Sequence, residues 1–231
     1  RQDLIDKNLA IFAQIIPEIK KRECKGILMV VTNPVDILTY AAIKMSGFSP
    51  KRVIGSGTVL DTARLKYLIG RSLDVDARSV HAVIIGEHGD SELAVWSGAN
   101  VSGIDLDHFC ELRGIAHYKV TTQRLYAEVR DSAYEIIQRK GATYYGIAMA
   151  VAKIAESISR DEHSVLPVST LLSGEYGIEG MCLSIPSVVG AKGVEKVLEI
   201  PLSGTEQREL TASAKALSAA LEHADKAATG L

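Results

Sequence analysis

Leu28-Met29-Val30-Val31-Thr32-Asn33-Pro34-Val35-Asp36 is an apolar run that stops at an Asn-Pro step. Without alternation, such a run reads as a strand buried on both faces, as in parallel sheets, here over Ile27–Thr32. A helix over Val35–Ser46 follows, closed by Gly47 and Pro50, and then a short strand over Val53–Gly55. Upstream, Ile5, Leu9, Phe12, Ile16 and Ile19 recur at helical spacing, so Asp3 to about Lys21 is an amphipathic helix. This order of helix, strand, helix and strand is that of one half of a doubly wound α/β sheet. Ligands of such sheets bind beyond the carboxyl ends of the strands, and Asn33 stands at such an end. Its amide can donate and accept. An Asx turn before proline accounts for the same residue equally well.

Past Gly57 the order changes. Leu60, Leu65, Leu68, Ile69 and Leu73 predict a helix over Val59–Leu73, followed by strands around Val80–Gly86 and Ser91–Ala99. Long helices near Thr121–Arg139 and Thr143–Ser159 come next, then strand-rich segments Val165–Leu172 and Cys182–Val189. Gly190-Ala191-Lys192-Gly193 is a turn between strands, and an alanine-rich helix runs from about Thr205 to Ala228. There are no repeats and no low-complexity tract.

Chemistry enters at Ile84-Ile85-Gly86-Glu87-His88-Gly89-Asp90-Ser91, where an apolar strand ends in a histidine flanked by glycine and acid. Histidine changes charge near pH ~6.5, so it can lend and recover a proton. A lone turn histidine would look the same. Leu60-Asp61-Thr62-Ala63-Arg64 sits just after Gly55-Ser56-Gly57, and three-residue spacing puts Asp61 and Arg64 on one helical face. An aspartate can orient an imidazole and favour its charged form, and an arginine fork can grip a carboxylate. An ordinary surface ion pair also fits that spacing.

Composition excludes some classes. Lys+Arg 26 against Asp+Glu 28 leaves a net charge of −2, without a basic stripe for nucleic acid. No apolar run approaches the ~18–20 residues that span a bilayer, and no secretory leader is visible. Cys24, Cys110 and Cys182 are an odd count without metal-ligand spacing, which points to reduced thiols.

Taken together, Thr32–Asp36, Gly55–Arg64 and Gly86–Ser91 resemble the L-lactate dehydrogenase family, over essentially the whole chain. The resemblance implies an α/β fold: the second half of a doubly wound (Rossmann) nucleotide domain over residues 1–57, then a mixed α+β substrate domain over residues 58–231. It implies that L-lactate and pyruvate are interconverted by hydride transfer with NAD. His88 would be proton donor and acceptor, with Asp61 holding it and Arg64 gripping the substrate carboxylate. Arg1 would close over the carbonyl, Asn33 would touch substrate and nicotinamide, and Thr143 would line the substrate pocket. Val31, Thr32 and Ser56 would line the cofactor side. Malate and branched-chain 2-hydroxy acid dehydrogenases are the related alternatives; a non-catalytic structural subunit of this fold is the unrelated one. The resemblance also implies a cytoplasmic homotetramer of glycolytic fermentation. Lys66 and His81 match residues that bind fructose 1,6-bisphosphate in allosteric bacterial members, with lysine standing where those have arginine. A regular strand would put His81, seven residues before His88, on the face opposite to it. With no initiator methionine and no GxGxxG after a strand, the chain reads as the C-terminal two-thirds of a longer protein, expected to be inactive alone.

Overall fold

The computed structural model describes residues 2–115 and 118–229. Helix α1 (Gln2–Lys21) buries Ile5, Leu9 and Ile16 on one side. Strand β1 (Leu28–Val30) is followed by α2 (Val35–Ser46), whose residues are buried save Lys44. A helix so apolar all round can exist only inside a core. It ends at Gly47, which takes the left-handed conformation (φ 64°) and donates its N–H to the carbonyl of Ile43. Strand β2 (Val53–Gly55) runs parallel to β1, pairing Leu28 with Val53 and Val30 with Gly55. These boundaries follow the periodicity closely, except that β1 is shorter than Ile27–Thr32. Val31 and Thr32 emerge exposed beyond its carboxyl end.

Helix α3 (Val59–Leu73) begins the second part. The expected strands around Val80–Gly86 and Ser91–Ala99 are short pieces instead: β3 (Val80–His81), β4 (Ile84–Ile85), β5 (Leu93–Ala94) and β6 (Asn100–Val101). The cause is a tertiary contact: the N–H of Ile84 goes to the hydroxyl of Thr62 on α3 (2.9 Å) rather than to a neighbouring strand. His81 and His88 therefore do not share a regular strand, and the face-alternation argument for His81 fails. Strand β7 (Ile104–Asp105) and helix α4 (Leu106–Leu112), which the sequence reading did not anticipate, follow. Asp105 caps α4, accepting from the N–H groups of Asp107 and His108.

Helices α5 (Tyr118–Lys140) and α6 (Tyr145–Ser159) precede β8 (Ser164–Ser173), β9 (Glu179–Gly190), β10 (Gly193–Val197) and α7 (Gly204–Thr229). One sheet has the order β1-β2-β8-β9-β10. Its joint is the antiparallel pairing of Gly55 with Ser169, so the sheet continues across residue 57. At that joint Gly55 lies so close to Ser169 that an added Cβ would fall 2.7 Å from the serine Cβ. A large core joins α1, α2 and α7 through Leu38, Ile85, Leu183 and Leu210. Two smaller cores lie around Ile69 and around Ile154. Among the described residues no helix is long and apolar enough to cross a membrane.

Candidate active site

The loop after β4 is held at both ends before it presents its histidine. Gly86 and Ser184 of β9 exchange two backbone hydrogen bonds of 2.9 Å. Gly86 has φ 94°, and a Cβ there would meet the Ser213 hydroxyl at 2.8 Å, so only glycine fits. The N–H of Glu87 then donates to Ser213 of α7 (2.8 Å), and Ser91 donates to the Glu87 carboxylate. One residue on, the N–H of His88 donates to Asp36 on α2 (2.8 Å). Three elements distant in sequence thus fix one imidazole.

His88 Nδ1 lies 2.7 Å from Asp61 Oδ2, and the other oxygen of Asp61 accepts from Arg64 Nη1 at 3.4 Å. The Asp61 side chain is 6% exposed and His88 25%, so their attraction is poorly screened. Burial pushes the imidazole towards neutrality, but the Asp61 carboxylate, aided by Asp36, outweighs it. The result is a pKa raised from the ordinary 6.5 to about 9. Asp36 is itself buried, which raises its carboxyl to about 6 despite the His88 N–H and Ser169 beside it. Desolvation, with Asp61 nearby, raises Glu92 to about 8.

Asn33, Pro34, Asp61, Arg64 and His88 line one cavity of about 370 Å³, closed on its α5 side by Arg130, Tyr134 and Ile137. Asn33 is exposed and its carbonyl accepts from Asn8 (2.7 Å). Thr143 is half-buried just before α6 and does not line this cavity. Arg1 lies outside the described residues. Of the expected cofactor residues, Val31 (37% exposed) and Thr32 stand open beyond the carboxyl end of β1, where a dinucleotide would pass. Ser56 is buried, and its N–H is committed to the Val30 carbonyl (2.9 Å). The carboxyl edge of β1 is therefore open, whereas Ser56 supports that edge from within.

Lys66 and His81 do not enter this cavity. Both line another of about 1000 Å³, together with Lys153. Sequence reasoning overlooked Glu92 and gave Asp36 no role. An acid directly ahead of the apolar Leu93-Ala94-Val95, and a charge on an otherwise apolar helix, were the available signals.

Residues 1–55 match the family model described as lactate/malate dehydrogenase, NAD binding domain. Residues 58–228 match that of the lactate/malate dehydrogenase alpha/beta C-terminal domain. The chain is 48% identical over 227 residues to L-lactate dehydrogenase 1 of Clostridium acetobutylicum, covering 96% of this chain and 71% of that protein. Against the L-lactate dehydrogenase of Acetivibrio thermocellus it is 50% identical over 217 residues, covering 94% and 68%. Among solved structures it is similar to the minor L-lactate dehydrogenase from Enterococcus mundtii in the ligands-bound form. The TM-score is 0.91 at 42% identity, covering 96% of this chain and 71% of that one.

Proposed function

The chain belongs to the lactate/malate dehydrogenase family, and on that premise we propose that the cavity around His88, Asp61 and Arg64 is its substrate site. The protein is an oxidoreductase that interconverts L-lactate and pyruvate with NAD. Reducing pyruvate adds a hydride to the carbonyl carbon and a proton to its oxygen. When bound, the nicotinamide supplies that hydride, which no side chain can. His88 supplies the proton. With Nδ1 committed to Asp61, Nε2 is the nitrogen left to hold it, and the charged form persists through neutral pH. Running backwards, His88 takes the hydroxyl proton of lactate. Asp61 keeps the ring oriented and stabilises its charge. Arg64 receives the substrate carboxylate through its fork, and Arg1 steadies the carbonyl oxygen. Asn33, Val31 and Thr32 meet the nicotinamide end.

One observation carries this reading: the two oxygens of a single buried carboxylate, Asp61, hold both the proton carrier and the anion clamp. A scaffold protein needs neither, so a non-catalytic role gains nothing from this geometry. The test is the change in nicotinamide absorbance with pyruvate, oxaloacetate or a branched 2-oxo acid as substrate. Pyruvate should give the highest kcat/KM; a higher value for oxaloacetate would overturn the choice.

We propose further that the enzyme is a cytoplasmic homotetramer of glycolytic fermentation, and that Lys66 and His81 receive fructose 1,6-bisphosphate. Their shared cavity, separate from that of His88, supports the effector reading. A polyanion there would neutralise like charges brought together by a symmetric interface.

A further inference from the structure

Glu92 has no place in the mechanism above, yet it lines the substrate cavity. Its side chain is buried, and its Oε1 atom has no hydrogen-bond partner. A carboxylate oxygen of Glu92, one of Asp61 and a ring nitrogen of His88 all lie within 4.8 Å of one another. The backbone holds it there: the Glu92 N–H reaches the Gly89 carbonyl (3.3 Å), and the Tyr126 hydroxyl on α5 donates to the Glu92 carbonyl.

We propose that Glu92 sets the charge of the substrate site, staying protonated beside Asp61 and His88 so that the cavity accepts a monocarboxylate anion. The inference rests on reading this cavity as the 2-oxo acid site. The charged groups facing Glu92 are Asp61 and Arg64 from α3, His88 from its own loop and Arg130 from α5. Arg130 is engaged with Asp131 (3.3 Å) and half-exposed, so it offsets little. Of the groups facing Glu92 from α3 and from its own loop, His88 and Arg64 are cationic and Asp61 is anionic, which leaves one positive charge there for one substrate carboxylate. An ionised Glu92 would cancel it. It would also place two carboxylates side by side without a partner for the second, which a buried site resists by retaining a proton. Desolvation and Asp61 raise the Glu92 carboxyl to about 8, consistent with this geometry.

Glu92 acts through the charge of the site and does not exchange a proton with substrate, so its signature is a pH profile. Pyruvate capture then needs two protons, one on His88 and one on Glu92, and kcat/KM reports both. In the wild-type enzyme, log(kcat/KM) for pyruvate should approach a slope of −2 above about pH 9. In Glu92→Gln, which cannot ionise, log(kcat/KM) should fall with slope −1 over the same range. A wild-type slope of −1 would overturn the proposal, and that measurement needs no variant. So would a folded Glu92→Gln enzyme that keeps the wild-type slope. Failure of the site reading is distinguishable, since it would appear as full activity in His88→Gln whatever the slopes.

Discussion

The backbone N–H of His88 donates to the carboxylate of Asp36, 52 residues earlier, at 2.8 Å. The contact joins the start of α2, next to the Asn33-Pro34 corner, to the loop that carries the proton donor. Asp36→Ala leaves a buried N–H unpaired and should cost about 1–3 kcal/mol with a fall in kcat. Asp36→Asn keeps an acceptor and removes the charge. Because burial raises the Asp36 carboxyl to about 6, the folded state binds more protons than the unfolded one between about pH 4 and 6. Stability attributable to Asp36 therefore falls as pH rises through that window. The Asn variant should melt at or above the wild-type temperature at pH 7, with the difference closing below pH 4. Thermal denaturation at the two pH values checks it.

Asp61 is the reason His88 keeps its charge, and its removal should show in the pH profile. In Asp61→Asn the imidazole loses its hydrogen-bonded anion while its burial remains, so its pKa falls from about 9. Charged histidine stabilises the fold fully below about pH 6.5, and that contribution disappears as pH rises through 9; the variant should lose it earlier. The pH above which pyruvate reduction declines should move down by at least one unit. An unchanged alkaline limb would show that another group governs it.

Arg64 spends one arm on Asp61 at 3.4 Å and lines the cavity with the rest. Arg64→Lys keeps the charge and loses the fork. KM for pyruvate should rise at least tenfold, about the 1.4 kcal/mol of one lost hydrogen bond to a charged group. KM for NADH should change less than twofold. Equal rises in both would assign Arg64 to structure rather than to substrate.

Much of this was legible in the chain. The limits of α2 follow from a continuous apolar stretch ending at Gly47, and those of α3 from Leu65, Leu68 and Leu73. His88, Asp61 and Arg64 stood out because those residue types, at those spacings, suit proton transfer and anion binding. What was not legible depends on partners far along the chain. Thr62 replaces a strand neighbour for Ile84, which breaks the strand expected through Val80–Gly86. Ser184 and Ser213 place the histidine loop, and nothing near residue 88 announces them. The burial of Glu92 arises from packing against α3 and α5, whereas its local sequence resembles any acidic loop. Ser56, expected on the cofactor side, is buried, with its N–H bonded to the Val30 carbonyl.

The central claim is that His88 carries the proton, and the single-turnover rate of pyruvate reduction in His88→Gln tests it most directly. Loss of a general acid commonly costs ~10²–10⁴-fold. The variant should bind NADH with wild-type affinity, as measured by fluorescence, and reduce pyruvate at least a hundredfold more slowly. A rate within threefold of wild type, at unchanged NADH affinity, would contradict the account.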